Sequence, residues 1–126
     1  MHQIPPTIEM RILDPRLRDW GLPRFQSDLA AAWDLYACLH EPVTMHPGDP
    51  AALIPSGFAL LMGHSGMAAL ILPRSGLGHR KGLVMGNAVG LIDADYMAEI
   101  MISAWNRNPP GTDPVVIAPG DRIAQM

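Results

Sequence analysis

An all-β fold (a sandwich, barrel or jelly roll) is what this sequence predicts, and three features carry that expectation. First, 13 prolines and 12 glycines recur as punctuation, in Pro47-Gly48-Asp49, Pro55-Ser56-Gly57, Gly63-His64-Ser65-Gly66, Pro109-Pro110-Gly111 and Pro119-Gly120-Asp121. Proline presets φ at the second position of a turn and glycine accepts the positive φ at the third. Second, short apolar stretches lie between these marks: Ala51–Ile54, Phe58–Met62, Ala68–Leu72, Glu99–Trp105 and Val115–Ala118. Turns at this spacing describe many short strands. Third, only Asp28–Ala37 looks helical, through Ala30-Ala31-Ala32. With Trp33, Tyr36, Cys38 and Leu39 around it, that window reads as a loop entering a strand.

Taken in order, Pro5-Pro6 is an extended lead-in and Ile8–Leu13 alternates like a first strand. Further on, Ile100, Ile102 and Ala104 alternate with Met101, Ser103 and Trp105, so both faces of that strand are expected to be largely buried. Asp121–Met126 starts like a strand after a turn and stops without a terminating signal. Such a strand would leave an unpaired edge, which proteins usually cover.

A chain of 126 residues corresponds to one domain, 1–126, with no internal repeat or linker. Its 48% apolar and 17% charged residues describe a globular protein. The longest apolar run, Met67–Leu72, is far short of the roughly 20 residues of a membrane span. A net charge of −3 argues against broad nucleic-acid binding through phosphates. One cysteine, Cys38, excludes an internal disulfide and a cysteine zinc cluster. Without a basic segment followed by an apolar one at the N-terminus, the expected location is cytoplasmic.

Several signatures fail on inspection. Gly76-Leu77-Gly78-His79-Arg80-Lys81-Gly82 misplaces the third glycine of a dinucleotide fingerprint. The histidines, His2, His40, His46, His64 and His79, lack metal-ligand spacing and read as loop residues. Ser65 lacks a nucleophile-elbow pattern. Met62, Met67, Met85, Met97 and Met101 read as core filler, and Cys38 as a small buried residue.

Polar clusters inside apolar, β-patterned stretches remain. Asp34 sits in Ala32-Trp33-Asp34-Leu35, where a strand interior avoids a carboxylate unless something satisfies it. Pro73-Arg74-Ser75-Gly76-Leu77-Gly78 sets a guanidinium, a hydroxyl and flexible amides at one strand end, a donor set suited to phosphate. Gly90-Leu91-Ile92-Asp93-Ala94-Asp95-Tyr96 puts two carboxylates on one face of an extended chain, followed by an aromatic ring. A fourth cluster spans Asp121–Gln125. Each could be structural, with Asp34 or Asp95 pairing with Arg74 or Arg122. Together they point to a nucleotide site.

These strings resemble the trimeric dUTP pyrophosphatases (dUTPases) over nearly the whole chain and in order. Ala-Trp-Asp34-Leu-Tyr-Ala resembles the first family motif and Pro-Arg74-Ser75-Gly-Leu-Gly the second. Gly-Asn87-Ala-Val-Gly-Leu-Ile-Asp93-Ala-Asp95-Tyr96 resembles the third, and Gly-Asp-Arg-Ile-Ala-Gln125-Met the fourth. Leu72–Asn108 is especially similar, including Met-Ile-Ser-Ala-Trp-Asn-Arg. The resemblance implies a distorted jelly-roll β-barrel, a homotrimer with sites at subunit interfaces, and hydrolysis of dUTP to dUMP and pyrophosphate. It implies Asp93 as the base that deprotonates a water, supported by Asp34 and Asp95. Arg74, Ser75, Gly76 and Gln125 would hold phosphate. Asn87, Gly90, Leu91, Ile92 and Met101 would belong to a hairpin that reads uracil, and Tyr96 would pack on the deoxyribose. Mg2+ would ride on the phosphates and water, near Asp34, without direct protein ligands. The family continues past the fourth motif with a strand and a Gly-rich arm, whereas this sequence ends at Met126. Ala31 and Ala98 stand where family members commonly carry glycine, and Ala98 would be strained if its φ were positive. Two other readings stay open: a nucleotide-binding regulator, and a dCTP deaminase of the same fold.

Overall fold

Three antiparallel sheets organise the chain in the computed structural model, which describes residues 7–63 and 66–126. The lead-in Pro5-Pro6, His2, His64 and Ser65 lie outside the described residues. The strands are β1 (Glu9–Ile12), β2 (Asp34–Tyr36), β3 (Val43–Met45), β4 (Ala52–Leu61) and β5 (Ala69–Pro73). They continue with β6 (Leu83–Met85), β7 (Gly90–Ile92), β8 (Glu99–Asn106), β9 (Val115–Ile117) and β10 (Arg122–Gln125). One sheet has the order β1-β4-β8-β6, another β2-β10-β5-β7, and β3 pairs with β9. The core takes Ile54, Phe58, Ile100 and Ile102 from the first, Leu35, Ile71 and Ile123 from the second, and Met45 and Ile117 from the third.

Two of the Pro-Gly turns use one device. Asp49 N–H donates to His46 O while the Asp49 carboxylate accepts His46 N–H. Asp121 N–H likewise donates to Ala118 O while its carboxylate accepts Ala118 N–H. Pro55-Ser56-Gly57 behaves differently from its expected turn. It lies inside β4, where the register with β8 shifts between Pro55 and Ala59. The segment is a bulge in one long strand. Gly57 takes φ +81°, and a Cβ there would come within 2.8 Å of Cys38 Sγ. Its N–H donates to Glu99 Oε1, and its carbonyl accepts Leu13 and Asp14 N–H.

The expected two-sided burial of β8 is only half realised. Ile100, Ile102 and Ala104 are fully buried, Met101 and Ser103 are half-buried, and Trp105 is 40% exposed. Met62 and Met85 are buried as expected, Met67 and Met101 are only half-buried and are not core residues, and Met97 stands exposed. The expected unpaired edge at Asp121–Met126 is absent, because β10 is an interior strand between β2 and β5. Trp33 and Met126 exchange backbone hydrogen bonds and extend that ladder.

A short helix, α1 (Arg16–Trp20), has no counterpart in the sequence reading. Five residues cannot support themselves, and tertiary contacts supply what propensity does not. Asp14 Oδ1 accepts Arg16 N–H, and the Asp14 carboxylate receives Arg16 Nε and Nη2. Arg16 Nη1 donates to Leu39 O, and the guanidinium lies 5.2 Å from the Trp20 ring centroid. Leu17 is fully buried. Cys38 is buried nearby, and burial pushes its thiol up to about 11, so it stays neutral and unreactive at neutral pH.

Hydrogen bonds from Arg16 hold the Asp14 carboxyl well below the usual carboxylate range. A depressed carboxyl stabilises the fold above its unfolded value of about 4 and loses that contribution as pH falls below it. Asp14→Asn is therefore expected to lower stability at pH 7 by about 1 kcal/mol. The difference in urea midpoint between the two proteins should shrink steadily from pH 4 towards pH 2. A difference constant across that range would mean that packing, not charge, is at work.

Candidate active site

β10 brings three of the four motifs together. Its register sets Gln125 opposite Asp34 on β2 and opposite Leu72 on β5, with Ala124 opposite Pro73. Arg74, the first residue past β5, thus emerges beside the Asp34 carboxylate. Asp34 is buried, and its Oδ2 lies 3.2 Å from Arg122 Nη1 and 3.4 Å from Arg74 Nε. Arg74 Nη1 donates to the carbonyl of Arg122 at 2.9 Å, and Gln125 Nε2 to the carbonyl of Pro73 at 2.9 Å. One carboxylate therefore holds two guanidiniums, whose outer faces remain partly exposed.

Ser75 and Gly76 follow on an exposed helical turn that runs into a single π-helical turn, Leu77–Lys81. Arg74 and Arg122 line a cavity of about 1010 Å³ that Arg24, Arg80 and Lys81 also border, against Asp113 and Asp121. A mouth with this excess of cations suits a polyanion.

The third motif lies elsewhere in the same chain. Asp93 and Asp95 are exposed and line a second cavity of about 640 Å³ with Met67 and Met97. Tyr96 N–H donates to Asp93 O, and Tyr96 Oη–H donates to Glu99 O, which pins the ring over the turn. Because Ile92 opposes Ala69, Asp93 lies beyond the first residue of β5, whereas Arg74 follows its last. At about 3.4 Å per residue, the two are about 20 Å apart along the strand. The two cavities share no lining residue.

The expected uracil-reading hairpin is not a pair of bonded strands here. β7 pairs with β5 and β8 with β4 and β6, so the two strands belong to different sheets. Gly90 is buried against Ile71, Leu91 is exposed, and Ile92 is half-buried, while half-buried Met101 lies across from Pro55. Asn87 sits exposed in the connection between β6 and β7. Positive φ falls on its neighbour Ala88, at 64°, and not on Ala98. Among the described residues, His40, His46 and His79 are exposed, and no cluster of three His, Cys, Asp or Glu could hold a metal.

Of the two candidate counter-ion carboxylates, Asp34 pairs with both arginines. From the sequence Arg122 is only a possible structural partner of a carboxylate; its place in the fourth motif, three residues before Gln125, is the available signal. The Glu99 carboxylate gives none, since the Gly57 N–H it accepts lies 42 residues away.

A family model described as dUTPase matches residues 18–126. The chain belongs to the dUTPase family. Deoxyuridine 5'-triphosphate nucleotidohydrolase of Xanthomonas euvesicatoria pv. vesicatoria is 52% identical over 97% of this chain and 78% of its own length. Among solved structures, the dUTPase of Streptococcus mutans has a TM-score of 0.73 at 28% identity, covering 92% of this chain and 90% of that one. The D95N mutant dUTPase of phage phi11 of S. aureus, which coordinates a structural Mg(II) ion, has a TM-score of 0.72 at 22% identity, covering 94% and 87%. The jelly-roll-like architecture of the dUTPases is thus this chain's fold.

The shared carboxylate gives a direct test of the Asp34 cluster. Asp34→Asn should lower stability by about 1–3 kcal/mol, because both guanidiniums lose their shared negative charge and keep at most one amide oxygen to bond. In the double variant Asp34→Asn/Arg122→Gln, the losses should fall short of additive by at least about 0.5 kcal/mol. Additive losses in urea unfolding would mean that the carboxylate and Arg122 do not interact.

Proposed function

We propose that the protein hydrolyses dUTP to dUMP and pyrophosphate, with its sites completed between subunits of a homotrimer. The observation that carries this reading is the junction of Asp34, Arg74, Arg122 and Gln125 across β2, β5 and β10 at a basic cavity. Family membership and the close nucleotidohydrolase relatives support the reaction.

In this mechanism Arg74, Ser75, Gly76 and Gln125 hold phosphate oxygens and stabilise the charge that develops on them. Asp93 accepts a proton from a water that attacks the α-phosphorus in line, and pyrophosphate leaves. Asp34 keeps the Arg74 fork oriented, and Asp95 supports the Asp93 turn. Asn87, Gly90, Leu91, Ile92 and Met101 border the uracil, and Tyr96 covers the deoxyribose and excludes a 2′-hydroxyl. This donor set would suit Mg2+, which would be held chiefly by the substrate phosphates and by water, so no carboxylate cage would be required. Asp34 would meet it through water, and the ion would supply neutralisation of phosphate charge.

Two features support assembly. A water-activating carboxylate about 20 Å from the phosphate donors cannot serve them within one chain. Large apolar side chains also remain exposed on the outer sheet faces: Leu53 and Trp105 on one, and the directly paired Leu70 and Leu91 on the other. Packing a second and third copy against such faces buries them and brings the Asp93 end of one β5 to the Arg74 end of another. Residues 1–126 act as one domain in this arrangement. Among the described residues no helix is long and apolar enough to cross a membrane, and a cytoplasmic location is part of the proposal.

The test is pyrophosphate release from dUTP with Mg2+. Asp93→Asn should bind dUTP but lose turnover by about 10²–10⁴-fold. Arg74→Ala should also be inactive. Mixing the two variants and letting subunits exchange should restore about a quarter of wild-type activity, since each mixed trimer holds one intact site. No recovery on mixing would contradict shared sites.

Base selection should be uneven. A pocket that hydrogen-bonds the uracil edge can reject cytosine by up to about 10⁴–10⁵-fold. Excluding the thymine methyl rests on crowding, worth about 1–3 kcal/mol. dTTP should therefore be hydrolysed more readily than dCTP; comparable kcat/KM for dCTP and dUTP would overturn the base assignment.

A further inference from the structure

The segment Asn106-Arg107-Asn108 closes β8 within the string most similar to the dUTPases, yet it has no part in the chemistry above. We propose that Arg107, assisted by Asn108, is a positioning residue that clamps the phosphate-binding turn from behind. The inference rests on the reading of Arg74, Ser75 and Gly76 as phosphate ligands.

The π-helical turn Leu77–Lys81 is continuous with those ligands, since Gly78 N–H donates to the carbonyl of Arg74 at 2.8 Å. A single turn is costly to nucleate, and its last carbonyls have no donors of their own. Arg107 and Asn108 supply them. Arg107 Nη2 donates to Gly78 O at 2.9 Å and to His79 O at 3.1 Å. Asn108 Nδ2 donates to Lys81 O at 2.7 Å, and Arg107 N–H to Gly82 O at 2.9 Å. Gly82, at φ +73°, ends the turn where a Cβ would collide with the Asn108 amide.

The clamp is anchored in the core. Asn106 is buried, donates from Nδ2 to Met45 O at 2.9 Å, and accepts Asn108 N–H at 3.0 Å. Rigidity therefore passes from the core through β8 to the carbonyls behind Arg74. Arg107 itself does not line the basic cavity, so it acts through the turn.

An unclamped turn must be ordered by the phosphates that bind it. That cost falls equally on the bound substrate and the transition state, so it raises KM and leaves kcat unchanged. Arg107→Met keeps the aliphatic stem and removes the fork. Its KM for dUTP should rise about tenfold with kcat within about twofold, and Arg107→Lys should recover part of the loss. Inorganic tripolyphosphate, titrated calorimetrically into wild type and Arg107→Met, should bind about tenfold more weakly to the variant. A melting temperature that falls while KM and tripolyphosphate affinity stay at wild-type values would mark a merely structural role and overturn the proposal. So would a fall in kcat at constant KM. If Arg107→Met does not fold, Arg107→Gln, which keeps a polar head but loses the fork to Gly78 O and His79 O, is read by the same measurements. A wild-type protein that binds tripolyphosphate but does not hydrolyse dUTP refutes the functional reading alone, and the clamp is then decided by tripolyphosphate. Wild type that does neither refutes both.

Discussion

The Asp34 carboxylate, held between two guanidiniums, is the interaction on which the rest of the candidate site depends. It is buried, and a lone buried charge is costly unless paired. Arg74 and Arg122 reach it from different strands, and Arg74 also binds the main chain of Arg122. The position of β10 between β2 and β5 makes this contact unavoidable. Two arginines side by side would repel each other without Asp34, and Asp34 would be an uncompensated charge without them. The cluster is therefore a structural ion network, and the proposed phosphate-binding role would use the guanidinium faces that this network leaves partly exposed.

Strand geometry then separates the candidate groups. Arg74 follows the end of β5, and Asp93, just past the end of its partner β7, lies beyond the start of β5. Had the carboxylate and the guanidiniums met inside one chain, they would have neutralised each other, as Asp34 and Arg74 do. Distance leaves Asp93 exposed and unpaired with the arginines that line the basic cavity. The exposed leucines and Trp105 on the outer sheet faces follow the same logic: what one chain leaves open is available to another.

Local turn chemistry was the most legible part of the fold. His46-Pro47-Gly48-Asp49 and Ala118-Pro119-Gly120-Asp121 close as their residues dictate, since every group that matters lies within four positions. Pro55-Ser56-Gly57 carries the same signal but is a bulge, because Glu99, Leu13 and Asp14 take its backbone groups from elsewhere. α1 and the π-helical turn escaped the sequence reading for the same reason. Each is a single turn, supported by Leu39 or by Arg107 from a distance and not by its own propensity. Ala98 would be strained only at positive φ, and positive φ falls instead on Leu22 and Ala88, a matter of backbone path that side-chain identity does not encode.

Sequence alone determined the fold class, the strand-and-turn rhythm and the family, because period, turn residues and motif order are properties of neighbours along the chain. It also supplied the candidate site residues that the proposed function uses. Only the tertiary structure decided which of them meet. Asp34, Arg74, Arg122 and Gln125 converge because β10 is interior, and Asp93 stands apart because antiparallel pairing of β5 with β7 sends it to the opposite end. Strand order and register are set by packing between distant segments, so they exist only once the chain has folded.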